Sequence, residues 1–294
     1  VACRSFHPPA RSTTDEPQPV ARRPAPALRS LDPRDGLPPS RGSVQCRQAV
    51  RASRTPPFPR DAMSATLRVG GLVPLTTLDY PGLLACVLFC QGCAWRCRYC
   101  HNPELIAPRG AEEIPWPRLL DFLRRRQGLL QAVVFSGGEA TLQAALGDAM
   151  RTVRELGFRV GLHSAGINPR AFARVLAQSD WVGFDVKAPA EDVAAITGVD
   201  GSGAANWRSL ECLLDSGVAY ECRTTVHWRL FDSERLWRLA TRLREMGVER
   251  FAVQLARPAR QLDPQLLAKP APQGAAQLWR ELEELFPAFE LRDA

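Results

Sequence analysis

The chain has 294 residues, 45% of them hydrophobic, which is enough for a sizeable core and excludes wholesale disorder. Its longest apolar run, Leu83 to Cys90, is far short of the roughly 18 residues that span a bilayer. No basic-then-apolar leader opens it, so a soluble cytoplasmic protein is expected. The formal charge of +7 is uneven: residues 1–62 hold 11 Arg and 5 Asp/Glu, and the remaining 27 basic and 26 acidic residues net only +1. Such a body has no electrostatic reason to track a phosphate backbone, and no nucleic-acid partner is expected.

Residues 1–62 also hold 12 of the 25 prolines and show no helical or strand periodicity. They read as a disordered Pro/Arg-rich extension outside the native protein, with synthesis starting at Met63, and 63–294 as the folded domain. A transit peptide is the rival reading; the acidic residues and prolines speak against its amphipathic helix.

In chain order, strands are predicted at Leu83–Phe89, Ala132–Ser136, Arg159–His163, Trp181–Val186, Tyr220–Val226 and Phe251–Leu255, after a β-like stretch at Thr66–Val69. Helical spacing links Leu142, Leu146, Met150, Val153 and Leu156, then Leu236, Leu239, Leu243 and Met246, and a closing helix carries Leu278, Leu282 and Leu285. Gly128, Gly157, Gly217 and Gly247 follow such stretches, where a left-handed residue ends a helix. Six alternating units imply an α/β fold with parallel pairing, either an open doubly wound sheet or a complete or partial β/α barrel. Both place ligand chemistry at the carboxyl ends of the strands.

Cys93, Cys97 and Cys100 have the spacing C-x3-C-x2-C just after the first predicted strand. A structural zinc site wants four ligands, usually as two separated pairs. A fully protein-held cubane also wants four thiolates, so three leave one iron open to an external ligand. Zinc remains the alternative, and Cys90 a candidate fourth ligand. Cys86, Cys212 and Cys222 read as core.

The stretches Leu78-Asp79-Tyr80-Pro81-Gly82, Phe89-Cys90-Gln91-Gly92-Cys93 and Cys97-Arg98-Tyr99-Cys100-His101-Asn102-Pro103 resemble the radical S-adenosylmethionine (SAM) glycyl-radical-enzyme activases. Among these they are most similar to activating proteins of anaerobic ribonucleoside-triphosphate reductase. The resemblance implies a partial (β/α)6 TIM-like barrel over 63–294. It also implies a 4Fe–4S cluster on Cys93, Cys97 and Cys100, SAM chelating the open iron, and Tyr99 beside the adenine.

Ser136-Gly137-Gly138-Glu139 follows the second predicted strand. Gly137 and Gly138 let the backbone approach a ligand and expose amides; Glu139 offers an anion suited to an ammonium. The motif resembles the family's SAM-amino site, except that Ala140 stands where proline is usual. Ser164 is a candidate contact for SAM's ribose or carboxylate. His163 stands where formate-lyase-type activases tend to carry Asp, which puts a cation site there in doubt. Asp185-Val186-Lys187 resembles the family's Asp-x-Lys, whose lysine pairs with SAM's carboxylate; the bland reading is a strand-edge salt bridge. Arg223 and His227 flank the fifth predicted strand and are further candidates.

The implied reaction is reductive cleavage of SAM to a 5′-deoxyadenosyl radical, which takes a hydrogen atom from a glycine Cα. The implied partners are a glycyl-radical enzyme, with anaerobic ribonucleotide reductase in first place, and a one-electron donor such as flavodoxin or ferredoxin. A radical SAM enzyme acting on a small molecule and a zinc-stabilised interaction module are the competing readings.

Overall fold

The computed structural model describes residues 66–257 and 261–292; the expectation for residues 1–62, and for a start at Met63, lies outside them. One sheet runs in chain order through β1 (Val69–Thr76), β2 (Ala85–Cys90), β3 (Ala132–Gly137), β4 (Arg159–Ser164), β5 (Trp181–Asp185), β6 (Ala219–Val226), β7 (Arg250–Leu255) and β8 (Ala288–Arg292). β1 pairs antiparallel with β2. Every later pair is parallel. The helices are α1 (Trp116–Arg124), α2 (Leu146–Glu155), α3 (Pro169–Leu176), α4 (Val193–Thr197), α5 (Ser202–Leu214), α6 (Ser233–Glu245) and α7 (Ala275–Leu285). The architecture is the partial β/α barrel, so the choice the alternation left open falls to the barrel.

Strand alternation sorts the side chains into two layers. Cys86, Leu88, Val133, Phe135, Val160, Leu162, Val182 and Phe184 join the large core with the helices. The intervening Val87, Ala132, Val134 and Trp181 form a second, inner cluster with Tyr80 and Ala85. The Tyr80 and Trp181 rings lie 5.3 Å apart there. α6 shows how the sequence makes an outer helix. Asp232 caps it by accepting from the Arg235 amide at 2.7 Å, and Gly247 stops it at φ 87. Its Leu236, Leu239 and Leu243 are fully buried, each contributing about 1.5–3 kcal/mol.

Two details go beyond or against expectation. Among the described residues the sheet adds two strands, β1 and β8, to the six expected, the β-like stretch at Thr66–Val69 reaching only the first residue of β1. β1 was obscured because Gly70-Gly71 interrupts the alternation, and β8 is only five residues long. Leu142 does not belong to α2: it lies in a short 3-10 turn and is 40% exposed. Among the described residues no helix is long and apolar enough to cross a membrane.

Candidate active site

Parallel pairing of β2 through β6 brings the sequence candidates at five successive strand ends to one edge of the sheet. The cysteine loop leaves β2 and is fastened by backbone bonds from three directions. The Gly92 and Cys93 amides donate to Leu105 and Ile106 carbonyls (2.8 and 3.0 Å), and those of Arg96 and Arg98 to Thr197 and Ile196 (2.8 and 3.0 Å). The Asp263 amide donates to the Arg98 carbonyl (2.9 Å). Gln91, 3% exposed, donates its side-chain amide to the carbonyls of Glu104 and Ala107. The Cys100 amide closes one turn onto Cys97.

Cys93, Cys97 and Cys100 are partly exposed and line one cavity with Tyr99, His101, Gly137, Gly138, Ser164, Asp185, Lys187 and Arg223. Among the described residues no three His, Cys, Asp or Glu side chains converge closely enough to hold a single metal ion. Burial pushes the Cys93 thiol up to about 12 and raises that of Cys97; a thiolate there needs a coordinated cation beside it. Cys86 and Cys90 are fully buried in the helix-facing core. Cys90 is absent from the cavity wall, which leaves the fourth-ligand reading without geometric support.

Gly137, the last residue of β3, and Gly138 after it line the cavity and also pack tightly against the cysteine loop. A Cβ on Gly138 would stand 2.4 Å from the Gly92 carbonyl oxygen, and one on Gly137 2.4 Å from the Cys90 amide nitrogen. The Gly138 and Glu139 amides donate to the carbonyls of Cys90 and Gly92, both at 2.9 Å. These amides are spent on the cysteine loop rather than exposed to a ligand.

Glu139, only 2% exposed, is likewise turned into the protein. Its carboxylate accepts from the Thr141 hydroxyl (2.6 Å) and amide (3.3 Å), the Ser164 hydroxyl (2.7 Å) and the Ala165 amide (3.0 Å). Burial raises its pKa against the pull of those donors. With one oxygen taking three of the four bonds, the other retains a free acceptor position.

Asp185 is the centre of the charged wall. Its carboxylate meets the Lys187 ammonium at 3.2 Å and the Arg223 guanidinium at 3.0 Å. Burial opposes ionisation, but Lys187 and Arg223 overcome it and hold the acid at about 2. Burial also opposes the Lys187 charge, and Asp185 more than compensates. The ammonium stands 5.8 Å above the Tyr99 ring. The strand-edge salt bridge is therefore present, and both its members face the cavity. His163 is half-buried, and its Nε2 donates to the Asp79 carbonyl at 2.9 Å, tying the Asp-Tyr-Pro-Gly turn to β4. Burial and then Arg223 hold its imidazole neutral, at about 3. His227 is not on the cavity wall; its Nδ1 accepts from the Arg229 amide in a turn.

Residues that sequence reasoning missed hold the site together. Asn206, fully buried on α5, donates to the carbonyls of Ala165 (2.8 Å) and Asp185 (2.9 Å) and accepts from the Lys187 amide (3.1 Å). Gln143 donates to the carbonyls of Arg68 and Gln91. Two cavity atoms, the Tyr99 hydroxyl and His101 Nε2, are buried without a partner. Buried polar atoms are rarely left so, and a polar ligand in the cavity would satisfy them. The donor set, three thiols plus an ammonium, a guanidinium and two orphaned polar atoms, fits an iron–sulfur cluster with a zwitterionic nucleoside-bearing ligand.

A parallel β/α sheet with a triple-thiol loop at its carboxyl edge defines the class, and residues 87–243 match the radical SAM superfamily; the chain belongs to that superfamily. Its members are enzymes that use a 4Fe–4S cluster and SAM. The chain is 29% identical over 213 residues to a putative glycyl-radical enzyme activating enzyme of Methanocaldococcus jannaschii, covering 69% of this chain and 86% of that protein. It is 31% identical over 173 residues to the pyruvate formate-lyase-activating enzyme of Clostridium pasteurianum, covering 57% and 71%. Among solved structures, Streptococcus suis SuiB bound to its precursor peptide SuiA superposes with a TM-score of 0.51 at 16% identity. That match covers 69% of this chain and 47% of SuiB, and shows a common fold.

Proposed function

We propose that this chain is an activase that installs a glycyl radical on a partner enzyme, and that Cys93, Cys97 and Cys100 hold its 4Fe–4S cluster. The carrying observation is that these three thiols, and no fourth among the described residues, share a cavity with the Lys187–Asp185–Arg223 array. When bound, cluster and SAM supply the one-electron cleavage that removes a hydrogen atom from a glycine Cα.

The protein's own residues bind and orient. Lys187, held charged by Asp185, pairs with the SAM carboxylate. The loop of Gly137 and Gly138 lines the side of the cavity that takes the SAM amino group, and Glu139, behind that wall, fixes the loop to Ser164 and Ala165. Ser164 and Arg223 line the ribose and carboxylate side, and Tyr99 lies beside the adenine. Neutral His163 braces the Asp79 turn at the rim. No general base is required, since the transferred particle is a hydrogen atom. A reducing cytoplasm suits three open thiols.

The partner is read as anaerobic ribonucleotide reductase. What supports it is the Asp-Tyr-Pro-Gly, Gln-Gly-Cys and Cys-His-Asn-Pro wording of the motifs. The relatives' names support the wider class of glycyl-radical enzymes. The test is anaerobic incubation of reconstituted protein with SAM, reductant and either the reductase or pyruvate formate-lyase, followed by electron paramagnetic resonance. A glycyl doublet on the reductase alone is expected. A doublet only on the lyase reassigns the partner, and none on either, with 5′-deoxyadenosine still released, points to a small-molecule substrate. The Cys93→Ala, Cys97→Ala and Cys100→Ala proteins must each lose the broad absorption near about 400 nm, while Cys86→Ala keeps it; a coloured Cys97→Ala protein ends the ligand assignment.

A further inference from the structure

The thiol cavity adjoins a cleft between the Thr77–Pro81 turn and β8, and the two spaces share His101, Arg223 and Thr225 as wall. Thr225 and Gln254 are register partners on β6 and β7, each one residue from the carboxyl end of its strand. Thr225 stands two residues beyond Arg223 and so shares its face, and pairing puts Gln254, which lines the cleft, on that face too. Both side chains are half-buried, and among the described residues neither has a hydrogen-bond partner.

The charged groups beside them are committed elsewhere. Arg223 is held by Asp185 and the Gly183 carbonyl. Arg292, the register neighbour of Gln254 on β8, meets Glu221 through two nitrogens at 2.8 Å and also bonds Glu290. His101 Nε2 is buried without a partner among the described residues. Its other ring nitrogen donates to the backbone of Arg257 and burial keeps the ring neutral, which leaves Nε2 as an acceptor.

The seam between cavity and cleft thus presents a hydroxyl, a carboxamide and an imidazole nitrogen, uncharged groups with unspent donors and acceptors. A ligand that matches such groups recovers the free energy that leaving them unpaired costs. A phosphate or carboxylate would want a free cation at this place, and Arg223 and Arg292 are taken. A peptide group fits, because it offers one N–H and one C=O without charge. Glycine makes that contact decisive: a residue with no side chain can be placed only by its main chain.

We propose that Thr225, Gln254 and His101 form the seat for the main-chain amides on either side of the target glycine. This rests on the activase reading above and names the residues that hold its polypeptide substrate. The Gln254 carboxamide pairs with a peptide group, the Thr225 hydroxyl donates to a carbonyl and His101 Nε2 accepts an N–H. No bond is made or broken at the seat.

The probes are a heptapeptide of glycine flanked by alanines, with deuterium at both glycine Cα positions, and the same chain with an ester oxygen in place of the glycine N–H. Calorimetry on the reconstituted full chain with SAM and no reductant measures binding. The unaltered protein should bind the amide about fivefold or more tighter than the ester, the scale of one net hydrogen bond. Gln254→Met and Thr225→Val, close in volume to the side chains they replace, should each weaken amide binding by about the same factor, and Thr225→Ser should bind as the parent does. With dithionite added, the share of released 5′-deoxyadenosine that carries deuterium should fall in the two weakened variants. Equal binding of amide and ester, or Gln254→Met and Thr225→Val proteins that bind the amide as the parent does, overturns the seat. So does a drop in total 5′-deoxyadenosine at a constant deuterium share, which marks damage to SAM binding instead. The amide–ester comparison needs only the unaltered protein, so it decides even where a variant fails to fold. Preferential amide binding with no deuterium in the product, from the peptide or from anaerobic ribonucleotide reductase labelled in the same way, overturns the activase reading instead, so the two failures are distinguishable.

Discussion

The Ser164 hydroxyl donates to the Glu139 carboxylate at 2.7 Å, and this one bond joins the carboxyl ends of β3 and β4. The same carboxylate takes the Ala165 amide and two groups of Thr141, so one side chain ties the loops on which the cavity floor rests. A Glu139→Gln protein keeps an acceptor but turns an NH2 group toward donors. It should lose about 1–3 kcal/mol of unfolding free energy, read from urea denaturation of the cluster-free chain. An unchanged midpoint contradicts the four-bond arrangement.

Gly138 is needed for contact with the cysteine loop. Gly138→Ala places a methyl 2.4 Å from the Gly92 oxygen and must push the two loops apart. Reconstituted protein should bind under half the iron of the parent and melt at lower temperature, by about 1–3 kcal/mol. Gly71→Ala, whose added carbon meets nothing nearer than 3.6 Å, should match the parent in both measurements.

Acid should weaken the fold in two steps. The folded chain holds His163 at about 3 against an ordinary 6.5. From about 6.5 downward the unfolded chain therefore binds the extra proton, and stability falls as pH falls. Asp185, at about 2 against 3.8, adds a second loss below about pH 4, in the same direction. Between pH 6.5 and 5 the His163 step amounts to on the order of 1–2 kcal/mol. Thermal melting of His163→Gln should fall less over that interval, where His101 and His227, also held below the ordinary histidine value by burial, still contribute, while keeping the lower step.

Lys187→Ala should leave the cluster colour intact and weaken SAM binding by about tenfold or more, the scale of one charge-assisted pair. Equilibrium binding to the reconstituted protein measures it. Loss of colour would instead place the lysine in support of the thiol loop.

The parallel core was legible because its strands are long apolar runs ended by glycine-marked helices. The six expected strands all occur, with ends shifted by at most two residues. The positions of Asp185, Lys187 and Ser164 at strand ends followed from that. What stayed hidden depends on distance along the chain. Asn206 acts on residues 19 to 41 positions away, and Gln143 on one 75 away, so neither has a local pattern. The Gly137-Gly138 pair was visible but its neighbour was not. Small residues announce a close approach without saying what approaches, and here it is the chain itself. Glu139 was legible as an anion at the strand end, but its four internal donors, from Thr141, Ser164 and Ala165, were not.

The sheet begins with β1 and stops with β8, and these two strands do not pair. A cleft of about 810 Å³ runs between the Thr77–Pro81 turn and β8, sharing His101, Arg223 and Thr225 with the thiol cavity. A closed barrel would be reached only through its end. This one also opens along its side, through a slot walled by the turn that follows β1 and by residues of β6, β7 and β8, so whatever fills the slot can cover the thiol cavity without any rearrangement of the framework.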